Sequence, residues 1–99
     1  MKIQYTDANN ERVYRLTDEL LMNRTGLLEE EFNQFIQNSD FDLRLDLEEI
    51  TRIDSMALAS LIRVKKKLSE EDRNFSLTGA NTAVIRILEM AGLDEYLMD

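Results

Sequence analysis

Asp54–Ser55 is the pairing in this sequence best placed to carry a chemical switch. It joins a run of alternating apolar residues to a stretch with helical spacing, so the serine falls where a helix begins. Two chemistries suit a hydroxyl there. As a cap, its oxygen accepts a backbone N–H of the first turn, and losing such a cap costs about 0.5–2 kcal/mol. Asp54 can cap instead, which leaves Ser55 at the first helical position with a more exposed hydroxyl. As a phosphoacceptor, Ser55 would gain a charge of about −1.5 to −2 and three acceptor oxygens, stabilised by exposed amides and the helix dipole. Asp54 would repel that phosphate, and a partner surface shaped around a neutral hydroxyl would lose contacts. Such a change would act on binding more than on folding.

Other chemistries find little material. The chain has no histidine and no cysteine, which removes the usual general base, the thiolate nucleophile and the commonest metal ligands. Lys65 and Lys66 are not placed by the sequence to activate Ser55. Asp46, Glu48, Glu49 and Asp54 offer carboxylates for acid–base work, but Asp46 is expected on the solvent side of its strand and Glu48–Glu49 in an exposed bend. No enzymatic activity, cofactor or metal is expected. Glu29–Glu30–Glu31 and Glu70–Glu71–Asp72 lack the spacing and loop glycine of a calcium site and read as solvated helix faces and ends. The net charge of −8 opposes nucleic-acid binding, and the small cluster Arg63, Lys65, Lys66 and Lys67 is expected to face water or a partner. No run approaches the length of a membrane span and no secretory pattern opens the chain, so a cytoplasmic protein is expected.

The elements that must position Ser55 follow from periodicity. Ile3, Tyr5, Val13, Tyr14 and Leu16 suggest two short strands around the polar bend Asp7–Ala8–Asn9–Asn10–Glu11. Leu28, Phe32, Phe35 and Ile36 recur at helical spacing between about Thr25 and Gln37, and Asn38, Ser39 and Asp40 end that helix. Phe41, Leu43, Leu45 and Leu47 alternate with polar residues, the clearest strand signal in the chain. Leu58, Leu61, Ile62, Val64 and Leu68 then predict a helix from Ser55 or Met56 to about Ser69. Phe75 and Leu77 mark a strand broken by Gly79. Val84, Ile85, Ile87, Leu88 and Ala91 predict a helix from about Asn81 or Thr82 that Gly92 stops. Leu93, Tyr96 and Leu97 fold back as a last turn. Strands alternating with helices, without a linker or repeat, predict one α/β domain over residues 1–99.

On these residues the chain resembles the STAS family, and within it the bacterial anti-sigma-factor antagonists. The matching positions are Asp46, Ile50 and Ile53, Asp54–Ser55, Leu58 and Leu61, Leu77, Gly79, Val84, Leu88 and Gly92–Leu93. The resemblance is good over Phe41–Leu97 and looser over Met1–Asn38. It implies a STAS-like α/β domain, a small mixed β-sheet with helices packed largely on one face. It also implies regulatory binding: a serine kinase that acts as an anti-sigma factor, of the histidine-kinase-like ATPase class, would bind the unphosphorylated domain and release its client. That kinase would phosphorylate Ser55, and a serine phosphatase would reset the system. Asp54, Met56, Asp18, Glu19 and Asp46 are the expected supporting or partner-binding residues. The alternative is a STAS binding subunit of a stress-signalling or lipid-transport complex, with Ser55 unmodified.

Two departures from the family pattern bear on partner choice. Met56–Ala57 follows Asp54–Ser55 where the family usually has a small residue and then glycine. Thr17–Asp18–Glu19–Leu20 puts Asp18 where the family often has glycine after its second strand.

Overall fold

A computed structural model describes residues 3–98 of the 99-residue chain. Its elements are β1 (Tyr5–Ala8), β2 (Glu11–Thr17), α1 (Thr25–Asn38), β3 (Asp42–Glu49), α2 (Ser55–Ser69), β4 (Phe75–Thr78), α3 (Thr82–Met90) and α4 (Asp94–Leu97). Between β2 and α1 the chain makes a π-type helical turn, Glu19–Asn23, for which the sequence predicted no element. The four strands run in the order β1-β2-β3-β4. β1 is antiparallel to β2, whereas β2–β3 and β3–β4 are parallel, so the sheet is mixed.

Local chemistry explains the hairpin. Ala8 pairs with Glu11, leaving Asn9 and Asn10 as a two-residue loop with φ of 55° and 62°. A hairpin turn of this length needs left-handed backbone at both positions, and asparagine tolerates it better than most residues.

Alternation then sorts the sheet into two faces. Tyr14 and Leu16 of β2, Leu43, Leu45 and Leu47 of β3, and Phe75 and Leu77 of β4 are buried. They share one core with Leu28 and Phe32 of α1, Leu61 and Leu68 of α2, Val84 and Leu88 of α3, and Leu97 of α4. The helices therefore cover one face, as expected. Burying each such side chain contributes about 1.5–3 kcal/mol, which makes this apolar face the main support of the fold. The opposite face carries Val13, Arg15, Arg44 and Asp46, all exposed or half-buried.

The amino ends of β3 and β4 are closed by a residue the sequence did not single out. Asp72 adopts a left-handed φ of 57° after α2, and the N–H of Arg73 donates back to the Leu68 carbonyl at 2.9 Å. This helix stop aims the Arg73 side chain inward, where it is 7% exposed. Its guanidinium donates to the carbonyls of Ile36 (2.9 Å) and Phe41 (2.7 and 3.0 Å) and to Glu71 (3.0 Å). Glu71 is exposed, as expected of a solvated helix end, and also pairs with Arg73.

Candidate functional site

At the other end of the sheet, three connections leave the carboxyl ends of the parallel strands: residues 18–24 after β2, 50–54 after β3 and 79–81 after β4. In α/β sheets this is the end where binding groups gather, because loops and helix N-termini converge there. Ile50 and Ile53 anchor the middle connection in the core at 0% and 6% exposure. Thr51, Arg52, Asp54, Ser55 and Met56 are all exposed around these anchors.

The cap on α2 is Asp54, not Ser55. Asp54 has extended backbone (φ −100°, ψ 177°), the geometry a cap requires, and its carboxylate accepts the Ala57 N–H at 2.8 Å. Ser55 is thereby the first helical residue. It is exposed, and among the described residues its hydroxyl has no hydrogen-bond partner. Met56, next along the helix, is 71% exposed, so its side chain projects into solvent instead of packing on the core.

Asp18 turns toward this same loop. One carboxylate oxygen accepts the Thr51 N–H at 3.0 Å and the other accepts the Thr51 hydroxyl at 2.6 Å. The Thr51 hydroxyl, with its backbone N–H and the nearby Arg52 charge, holds the Asp18 carboxyl below the ordinary aspartate range. On the other side, the Asn81 side-chain amide donates to the Ile50 carbonyl at 3.0 Å while its oxygen caps α3 at Val84 N–H, 2.9 Å. Thr51 and the cross-loop contact of Asn81 were not foreseen. Asn81 was legible only as a helix start, and Thr51 carried no local signal, because its partner is 33 positions away.

Glu19 stands in the π-type turn, exposed, accepting from Asn23 at 2.7 Å and paired with Arg24 at 3.5 Å. Asp46 lies apart, on the helix-free face. It is half-buried, accepts the Glu48 N–H at 3.0 Å and faces Arg15 at 3.6 Å. The register slips here, Arg15 pairing with Asp46 but Thr17 with Glu49, so β3 carries one extra residue. Gly79, at φ +73°, passes close by: a Cβ there would meet Glu48 Cγ at 2.7 Å and Asp46 Oδ1 at 3.1 Å. Positive φ and this close approach both demand glycine. The structure therefore brings Asp18, Asp54, Ser55 and Met56 to one loop and its helix start, and leaves Asp46 shaping the strand end.

The charged helix faces are solvated in the main, with Glu30, Arg63, Lys66 and Lys67 exposed, but several of their side chains also make cross-helix bonds. Glu29 is not simply solvated: it accepts the Ser60 hydroxyl at 2.6 Å and pairs with Arg63. These two partners pull its carboxyl below the ordinary glutamate range. Glu31 accepts the Tyr14 phenol at 2.7 Å. Lys67 donates to Asn33 at 2.7 Å, and Lys65 sits 5.7 Å from the centre of the Tyr96 ring. Arg63 and Lys67 thus tie α2 to α1. Among the described residues, no group of three or more acidic side chains could hold a metal ion, and no helix is long and apolar enough to cross a membrane.

Residues 3–99 match the family model described as "Mlab, STAS domain". No curated protein gives a match. Among solved structures, TM1081 of Thermotoga maritima, determined by NMR, superposes with a TM-score of 0.83 at 22% identity, covering 98% of this chain and 78% of that one. A serine-to-glutamate variant of RsbS from Moorella thermoacetica gives 0.82 at 22% identity, covering 99% and 84%. An anti-sigma-factor antagonist (STAS) domain protein from Planctomyces limnophilus gives 0.82 at 17% identity, covering 97% and 86%. At these identities the superpositions speak for the fold, and the family match, spanning almost the whole chain, speaks for kinship. The chain belongs to the STAS-domain family, whose members are regulatory, non-catalytic modules.

Proposed function

We propose that this protein is a partner-switching module of the anti-anti-sigma type, controlled by phosphate on Ser55. The observation that carries the reading is the division of labour at the start of α2. Asp54 takes the cap, so the Ser55 hydroxyl is exposed and uncommitted. A serine kinase of the histidine-kinase-like ATPase class, acting as an anti-sigma factor, docks on this end of the sheet and brings the nucleotide and its metal. The Ser55 oxygen attacks the γ-phosphorus, the bond to the bridging oxygen breaks, ADP departs, and the hydroxyl proton passes to a base on the kinase. The domain contributes the hydroxyl and its placement. Unphosphorylated, it holds the kinase and frees the client; phosphorylated, it meets the same surface with added negative charge and is released. A serine phosphatase restores the hydroxyl. Asp54, Met56 and Glu19 frame the contact, Asp18 supports the loop behind it, and the switch operates in the cytoplasm.

Incubation with the cognate kinase and ATP is expected to label the intact protein and not Ser55→Ala. Equal labelling of that variant would reject the site.

A second reading, a STAS binding subunit of a stress-signalling or lipid-transport complex, draws support from Met56. An apolar side chain so exposed beside the serine suits a permanent apolar contact. Co-purification separates the two: a soluble kinase supports the switch, and transporter subunits support the permanent contact.

A further inference from the structure

The loop that presents Ser55 is held from both sides by side chains of the neighbouring connections. Asn81, from beyond β4, binds the Ile50 carbonyl; Asp18, from the end of β2, binds both the N–H and the hydroxyl of Thr51. The two holds differ in kind. Asn81 also caps α3 and so is tied to the packing of that helix. The Asp18 carboxylate spends both oxygens on one exposed threonine, four residues before Ser55, and caps nothing: the π-type turn that follows has no side-chain bond from it. The cap of that segment comes instead from Thr17, whose hydroxyl accepts the Leu20 N–H at 3.3 Å. Asp18 therefore does not serve its own element.

From this geometry we infer that Asp18 and Thr51 form a clamp that positions the acceptor loop, and that Asp18 is a positioning residue for phosphoryl transfer to Ser55, not a contact for the partner. The inference rests on the reading of Ser55 as phosphoacceptor. Its physical basis is that transfer demands the attacking oxygen in line with the phosphorus. A loop free to shift by an ångström loses turnover while its docking surface stays intact. Ile50 and Ile53 fix the loop's depth in the core, but an exposed segment between two apolar anchors can still swing sideways; the two bonds from Asp18 oppose that motion. Aspartate at this position, where glycine would leave the loop unclamped, thereby acquires a purpose that a turn-former lacks.

The test uses the whole protein with its kinase and compares Asp18→Ala, Thr51→Val and Thr51→Ser. Backbone hydrogen exchange at Thr51 is read first, without any kinase, and circular dichroism confirms that each variant is folded. Loss of the clamp is expected to accelerate that exchange about ten-fold in Asp18→Ala, since the carboxylate is the amide's acceptor. With kinase and ATP, kcat for Ser55 labelling is expected to fall about ten-fold in Asp18→Ala and Thr51→Val, with KM within about two-fold, and Thr51→Ser to restore it. If Asp18→Ala does not fold, the two threonine variants carry the comparison. A change confined to KM would make Asp18 part of the docking surface and overturn the inference. Unchanged kcat despite faster exchange would overturn it too. No labelling of the unaltered protein would instead remove the reading of Ser55, and this inference with it.

Discussion

The two ends of the parallel strands solve opposite problems with similar residues. At the amino end, Arg73 is buried and its guanidinium is satisfied by the Ile36 carbonyl of α1, the Phe41 carbonyl of the α1–β3 connection and Glu71. Asp42 adds a matching brace, accepting the backbone N–H of Asn74 at 2.9 Å and its side-chain amide at 3.3 Å. At the carboxyl end, polar groups are also paired, but in the open: Asp18 with Thr51, Asp54 with Ala57 N–H. Buried polar bonds are costly to break, because the orphaned partner cannot recruit water; exposed ones are cheap, because it can. One end is therefore built for stability. The other can afford an unbonded hydroxyl and an exposed methionine.

That contrast can be broken in a graded series. Arg73→Ala should cost most, about 3 kcal/mol, because it strands carbonyls of Ile36 and Phe41 and empties the space under Phe35; urea unfolding measures it. Labelling of Ser55 should persist while the variant is folded, and its loss in folded protein would show that the two ends are coupled.

Asp54→Ala should cost about 1 kcal/mol through loss of the α2 cap, with Ser55→Ala changing stability by less than about 0.5 kcal/mol. The reverse order would return the cap to Ser55. Ser60→Ala, one turn further along the same helix, sharpens the point. It removes a buried hydroxyl's bond to Glu29 and should lower stability by about 1 kcal/mol without touching phosphorylation.

Acid should weaken the α1–α2 seam. The Ser60 hydroxyl and the Arg63 guanidinium depress the Glu29 carboxyl in the folded protein, so folded Glu29 holds its proton less tightly than unfolded Glu29. Its stabilising contribution is therefore full above the unfolded value and is lost as pH falls through the lower folded value. Unfolding midpoints measured through the carboxylate range should show a shallower decline in Glu29→Gln than in the unaltered protein.

The smallest effect on folding should come from Ser55→Asp. A negative charge at the first turn of α2 is favourable to the helix dipole, so stability should move by less than about 0.5 kcal/mol. Partner affinity, measured by calorimetry, should fall by about ten-fold or more. Normal affinity with greatly reduced stability would identify Ser55 as chiefly structural.

How much of this was legible depended on distance along the chain. Strand β3 and helices α1 and α2 were readable because their signal is the spacing of leucines and phenylalanines within one element. Gly92 was readable as a helix stop for the same local reason, and its φ of 72° agrees. The exposed Asp54–Ser55 junction was readable as a place, though not which of the two residues caps. Glu29 and Ser60, 31 positions apart, and Asp18 and Thr51, 33 apart, were not readable at all. A carboxylate in a sequence looks the same whether it meets water, a serine or a threonine.

Sequence alone determined the elements, the apolar face and the site where a helix begins with a hydroxyl, since each follows from the preferences of neighbouring residues. Tertiary structure alone decided that Ser60 of α2 is buried and bonded while Ser55 is exposed. It also decided that Arg73 closes one end of the sheet while Asp18 braces the loop at the other. Those outcomes depend on which chain segments the parallel crossovers bring side by side, and no local preference encodes that.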